Sequence, residues 1–234
     1  MDGGGASYDA GCPNGLVASV KHYYKTMSSY IRFGLTGGIA CGKSTVTKTF
    51  RKAGIPMVDA DLVARQVVEI GTHGYFSLLK AFGKEFFAED GTLDRLKLGS
   101  LVFQEKSAMK KLNDIMGPMI QDESNCQINR WLLHLSSTNQ DLIVGYDAAL
   151  ICEMGNSKKY RPLIVVSCPR DTQIERLIKR NSLTREQAVA RIDSQMPVEE
   201  KIKLADYVID TSGTVEQSIL QTEFIINSLR QLSK

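Results

Sequence analysis

Three groups of residues in this chain have types and spacings that could do chemistry. Residues 34 to 45 read GLTGGIACGKST, and Gly37 to Ser44 satisfy the pattern G-x-x-x-x-G-K-[ST]. Glycines let a backbone turn tightly enough for successive N–H groups to point inward, and a helix starting near Lys43 adds its positive end. The stretch is therefore a cradle for phosphate. Gly38, Ile39, Ala40, Cys41, Gly42, Lys43, Ser44 and Thr45 would line it, with Lys43 as a mobile charge for β- and γ-phosphates and the Ser44 hydroxyl as a magnesium ligand. A glycine-rich turn with an accidental lysine is the plainer alternative, and the apolar run before the loop and the helical spacing after it argue against that. The same donors are expected to acidify the Cys41 thiol and make it the most reactive of the five cysteines; a buried, inert thiol is the competing expectation.

The second group is Asp59-Ala60-Asp61, closing a short apolar run and followed by Leu62-Val63-Ala64-Arg65. Ligands of an open α/β sheet bind at the carboxyl ends of its strands, so these carboxylates should face the phosphate site. One of them could deprotonate an acceptor hydroxyl or hold magnesium through water, and Arg65 could reach the acceptor or its phosphates. Without the glycine loop nearby, a helix-capping aspartate with an i,i+4 arginine would be the preferred reading. The third group is a basic helical stretch, Arg170, Arg176, Lys179, Arg180, Arg185 and Arg191, against only Asp171, Glu175 and Glu186. Such a run is commonly a solvated face, but a lid bearing arginines is also what balances charge on a transferred phosphoryl group. Arg176 and Arg180 share a helix face, and spacing does not choose between them.

The elements that must position these groups are legible as well. IRFGLT (31 to 36), IPMVDA (55 to 60), DLIVGYD (141 to 147), PLIVVSC (162 to 168) and DYVID (206 to 210) are Val- and Ile-rich runs without strict alternation. Such runs suit strands covered on both faces, and helical patterns separate them, which predicts an α/β fold with a doubly wound parallel five-stranded sheet. Between the second and third runs lie about 80 residues with helical spacing and no convincing strand, read as an inserted helical subdomain over about 61 to 140. The core then comprises 31 to 60 and 141 to 234, with a lid over about 170 to 196.

The chain has 234 residues, 43% hydrophobic and 24% charged, enough for one substantial domain. With 29 basic and 26 acidic side chains interspersed, there is no basic stripe of the nucleic-acid-binding kind. The five cysteines are odd in number and widely spaced, which argues against a disulfide framework or a zinc site and for a reducing cytosol. No run approaches the ~20 apolar residues of a membrane span. Residues 1 to 30 begin with a glycine-rich tail and are expected to form a flexible extension; residues 1 to 26 should be dispensable, although Leu16, Val20, Tyr23 and Met27 have helical spacing.

Taken together, these segments resemble the dephospho-CoA kinase family of P-loop kinases. The likeness runs from about residue 31 to 215 and rests on GLTGGIACGKST, GIPMVDADLVAR (54 to 65), DGTLDR (90 to 95), LVF (101 to 103), TQIERLIKRN (172 to 181), ARIDSQMP (190 to 197) and KLADYVID (203 to 210). The resemblance implies transfer of the ATP γ-phosphoryl group to the ribose 3′-hydroxyl of dephospho-CoA. It implies Asp61 as the base, Lys43, Ser44 and the rest of the loop as ATP and Mg2+ contacts, and Arg180 as a lid arginine at the nucleotide. Arg65 and Arg95 fall at acceptor positions, and the inserted helices would bind CoA. A cytoplasmic monomer or weak homo-oligomer, without nucleic-acid or membrane partners, is expected. Three positions depart from the family: Gly117-Pro118 stands for His-Pro, Ala149 to Glu153 for Pro-Leu-Leu-Phe-Glu, and Thr211 for an asparagine expected near the adenine.

Two other readings compete. A (deoxy)nucleoside monophosphate kinase shares the loop and lid, but its phosphate acceptor is already ionised and needs no base, so the paired aspartates favour a hydroxyl acceptor. A non-catalytic nucleotide switch would leave Lys43, Asp61 and the lid arginines without a task.

Overall fold

Successive residues of a strand point to opposite faces, so a strand buried on both sides reads as a continuous apolar run yet feeds two separate cores. The computed structural model, which describes residues 30–233, has this arrangement. Strands β1 (Ile31–Gly37), β2 (Met57–Asp59), β3 (Ile143–Asp147), β4 (Leu163–Ser167) and β5 (Tyr207–Asp210) form a parallel sheet in the order β2-β3-β1-β4-β5. Phe33, Leu35, Met57, Ile143, Ile164 and Val166 pack to one side with helices α1 (Lys43–Lys52) and α9 (Val215–Leu232). Val58, Val144, Tyr146, Leu163 and Val165 pack to the other, against α2 (Ala60–Gln66) and the long α5 (Lys106–Ser137). The extension expected over residues 1 to 30 lies outside the described residues except for Tyr30.

All five expected strands are present. The second is shorter than its apolar run at both ends: Ile55 and Pro56 precede it, and Ala60 already belongs to α2, which Asp59 caps by accepting from the N–H groups of Asp61 and Leu62. The region expected to be helical contains α2, α3 (His73–Phe82), α4 (Arg95–Gln104) and α5, with one isolated antiparallel bridge between Phe87 and Leu93. Gly117 and Pro118 lie inside α5, and a side chain added at Gly117 would meet nothing within 4 Å. The basic stretch forms α6 (Arg170–Asn181) and α7 (Arg185–Asp193), which starts with a Thr184–Gln187 capping box. The short α8 (Val198–Ile202) then leads into β5. Ile174, Leu177, Ala188 and Ile192 bind α6 to α7, and Ile39 and Ala40 of the glycine loop pack on this small core. No described helix is long and apolar enough to cross a membrane.

From β1 the chain passes to β2 on one side, and from β3 it crosses β1 to β4 on the other. This topological switch opens a crevice between the carboxyl ends of β1 and β3. The glycine loop leaves β1 there, and Asp147, the last residue of β3, stands in register with Leu35 of β1 and Asp59 of β2.

Candidate active site

Two helices begin at this edge of the sheet and differ in one respect. Helix α2 carries a side-chain cap, Asp59, whereas α1 has none: its cap position is Gly42, held at φ 80° in the left-handed region that glycine adopts without strain. The N–H groups of Lys43 and Ser44 at the start of α1 thus remain for a ligand, while that of Thr45 donates to the Gly42 carbonyl at 3.0 Å. The rest of the loop is held from behind. The carbonyls of Ile39, Ala40 and Cys41 accept from Gln173 Nε2 (2.7 Å), Arg176 Nη1 (3.5 Å) and Thr211 Oγ1 (2.8 Å). With these carbonyls engaged outward, the N–H groups of Ala40 and Gly42 take no partner among the described residues. Ala40 sits at φ 61°, an unusual conformation for a residue with a Cβ, sustained by the bonds to its neighbours and its own carbonyl. The Ile39 N–H donates to Gln195 Oε1 at 3.0 Å, so the segment after α7 also ties to the loop.

Lys43 reaches across the crevice and pairs with Asp147, whose second oxygen accepts from Thr47 Oγ1 at 2.6 Å. Asp147 is buried, and sequence reasoning missed it. Its signal was an aspartate ending the apolar run IVGYD, the place where P-loop enzymes keep a second magnesium ligand. The hydroxyl of Ser44, exposed at the start of α1, and the Asp147 carboxylate are both hard oxygen donors of the kind Mg2+ takes.

The structure separates the two aspartates of the second group. Asp59 spends its carboxylate on the α2 cap, while Asp61, in the first turn, is exposed and forms no ion pair with Arg65 among the described residues. Its negative charge reaches Tyr146 near the end of β3; burial first, and Asp61 in addition, hold that phenol above its ordinary range. Arg65 and Arg95 are brought together, the Arg95 guanidinium donating to the Arg65 carbonyl at 3.4 Å. In α6, Arg176 is the arginine that touches the glycine loop, and it also bonds the Thr211 hydroxyl and carbonyl at 3.1 and 2.6 Å. Arg180, expected at the nucleotide, is exposed and bonds its neighbour Asn181 at 3.0 Å.

Thr211 and Cys41 are both held in the interior, and for Cys41 this is the buried thiol of the two expectations. Thr211 is buried, and its hydroxyl lies within hydrogen-bond distance of the Cys41 and Ser167 carbonyls and accepts from Arg176, so it supports the loop. Cys41 is not an acidified thiol: contact with the Cys168 sulfur at 3.5 Å, and burial after it, push its thiol well above the ordinary range.

A second residue overlooked in the sequence is Lys201, whose side chain is 0% exposed. It pairs with Glu153 at 2.7 Å and donates to the Ala149 carbonyl at 2.9 Å and the Gly37 carbonyl at 3.4 Å. Glu153 in turn accepts from the Met196 N–H at 3.1 Å, and Thr36 Oγ1 bonds the same Ala149 carbonyl. One buried ammonium and its Glu153 partner therefore join the start of the glycine loop, the segment after β3 and the segment after α7. Lys201→Met would strand Glu153, and such a loss costs about 3–5 kcal/mol. Urea unfolding should show a drop of that size, and a change below about 1 kcal/mol would refute the bracing role.

A parallel 2-3-1-4-5 sheet, an uncapped glycine-loop helix with its lysine, and a carboxylate at the end of the adjacent strand define a P-loop kinase. The family model described as dephospho-CoA kinase matches residues 31–217. A dephospho-CoA kinase from Lactobacillus johnsonii is 42% identical over 182 residues, covering 78% of this chain and 89% of the relative. One from Bacillus cereus is 43% identical over 195 residues, covering 83% and 95%. Among solved structures, a Thermus thermophilus protein has a TM-score of 0.71 at 28% identity, and the Campylobacter jejuni dephospho-CoA kinase one of 0.61 at 27%. Each covers 86% of this chain and 98% of its own. The chain belongs to the dephospho-CoA kinase family.

Proposed function

We propose that this kinase transfers the γ-phosphoryl group of ATP to the ribose 3′-hydroxyl of dephospho-CoA. The observation that carries the reading is the carboxylate of Asp61, without a hydrogen-bond or ion-pair partner among the described residues, at the sheet edge that also bears the phosphate cradle, with Asp59 spent on its cap. A hydroxyl acceptor needs a base, and a phosphate acceptor does not. Asp61 takes the proton as the oxygen attacks phosphorus. The loop N–H groups and the α1 N-terminus hold the phosphates, and Lys43 exchanges its contact with Asp147 for the β- and γ-phosphate oxygens. Ser44 and Asp147 would hold Mg2+, which when bound neutralises charge on those oxygens. Arg65 and Arg95 bind anionic groups of the acceptor, and Arg180, with Arg176, balances charge at the nucleotide. The helices between β2 and β3 serve as the acceptor subdomain and α6–α7 as the lid. The same proposal takes the protein as a cytoplasmic monomer or weak homo-oligomer.

The direct test supplies purified protein with ATP, magnesium and either dephospho-CoA or a set of nucleoside monophosphates, scored by ADP release and product mass. ADP and a 3′-phosphorylated product are expected with dephospho-CoA. Turnover confined to the monophosphates would replace this reading with a nucleoside monophosphate kinase.

A further inference from the structure

Cys41 in the glycine loop and Cys168 just after β4 are 127 residues apart in the chain, yet their sulfur atoms lie 3.5 Å from each other. Both are free thiols, 1% and 4% exposed. A disulfide requires an S–S distance near 2.05 Å, about 1.5 Å closer than these thiols rest. We propose that this pair is an oxidative modification site, closing to an intramolecular Cys41–Cys168 disulfide with a hydroperoxide as oxidant and thereby switching off nucleotide binding.

The two sulfurs are not equivalent. Contact with Cys41, and then the positive charge of Arg176, hold the Cys168 thiol below its ordinary range, whereas Cys41 keeps its proton. Attack by either sulfur gives the same disulfide and the same balance, and Cys168, on which the Arg176 charge acts, is taken as the attacking one. It displaces one oxygen of hydrogen peroxide, becoming a sulfenic acid and releasing water. The Cys41 sulfur then attacks the Cys168 sulfur, the S–S bond forms as the S–O bond breaks, and the departing hydroxide takes the Cys41 proton as a second water. Two thiols lose two electrons and two protons, and the peroxide is reduced to two waters. At 1% and 4% exposure the pair is shielded from bulky alkylating reagents, which is why a small hydroperoxide is the oxidant proposed.

The consequence follows from the packing around Cys41. Its flanking residues are both at positive φ, Ala40 at 61° and Gly42 at 80°, its carbonyl is held by Thr211, and a Cβ added at Gly38 would lie 3.0 Å from its sulfur. Drawing Cys41 toward β4 cannot be absorbed by the side chain alone, so the loop N–H groups move away from the phosphates. Conversely, bound phosphates clamp the loop, so MgATP should slow closure. This functional half rests on the reading of the loop as a nucleotide site; disulfide formation itself does not.

The experiment treats the full chain with hydrogen peroxide, with and without MgATP, and maps peptides by mass without reduction. Binding of a fluorescent ATP analogue is measured in parallel, before and after dithiothreitol. The expected result is a linked peptide joining Cys41 to Cys168, two hydrogens lighter than the pair. It should form at least threefold more slowly with MgATP and be accompanied by a loss of analogue binding that dithiothreitol restores. Cys168→Ala, which touches no proposed ligand, should keep parental turnover and lose the reversible inhibition. The proposal is overturned if Cys41 links to another cysteine or to none, or if the linked protein binds the analogue as before. It also fails if Cys168→Ala is inhibited as readily and as reversibly as the parent.

Discussion

Asp61→Asn should lower kcat for phosphoryl transfer by about 10²-fold or more, the scale of general-base assistance. The amide keeps the size and polarity of the side chain but cannot accept the hydroxyl proton. Because Asp61 is exposed in the first turn of α2 and is not the cap, the thermal midpoint and ATP affinity should stay near parental values. Asp59→Asn is the internal control: asparagine caps helices about as well as aspartate, so α2 should persist and turnover should fall much less. Steady-state kinetics on both variants, with unfolding curves, check the assignment. Parental turnover in Asp61→Asn would exclude it as the base, and a larger loss in Asp59→Asn would move the role to the capping residue.

Lys43→Ala should reduce kcat/KM for ATP on the order of 10³-fold, at the upper end of what one charge-stabilising donor supplies. Its ammonium meets the phosphates in the ground state and in the transition state, so ATP affinity and kcat should both fall. The structure adds a second expectation. Lys43 is the partner of buried Asp147, and its removal leaves that carboxylate with the Thr47 side chain alone among the described residues. Lys43→Ala should therefore also lower the thermal midpoint, and adding Asp147→Asn should recover part of the loss, since the amide carries no stranded charge. Calorimetry on the single and double variants, with equilibrium ATP binding, reads both effects. A Lys43→Ala protein with unchanged ATP affinity and rate would mean that this lysine does not reach the phosphates.

Much of the site was legible because its signals are local. The glycine pattern, the strand run before it and the helix after it occupy fewer than about 25 consecutive residues, and phosphate binding by such a turn depends on backbone conformation more than on distant partners. The five apolar runs predicted the five strands for the same kind of reason: a strand covered on both faces must be apolar on both. The edge strand β5 departs from it, being covered on one face only, with Ile209 buried and Val208 41% exposed. The long stretch without strand signals was likewise legible as helical, since amphipathic spacing is a property of each helix alone.

The choices among chemically similar residues were made only by tertiary structure. Asp59 and Asp61 are equivalent in sequence until the bend from β2 into α2 gives the cap to one and frees the other. Arg176 and Arg180 share a helix face, and the packing of α6 against the loop decides that Arg176 reaches the Ala40 carbonyl, 136 positions away. Asp147 meets Lys43 across 104 positions, Lys201 meets Gly37 across 164, and Cys41 meets Cys168 across 127. The glycine spacing suggested an acidic Cys41 because it encodes only the donors of its own turn; the neighbouring sulfur, supplied by the residue just after β4, reversed the sign. Local patterns specify which backbone forms and what kind of ligand it can hold. Which side chain stands free, paired or buried depends on contacts across a parallel sheet, whose crossover connections bring residues far apart in the chain to one edge.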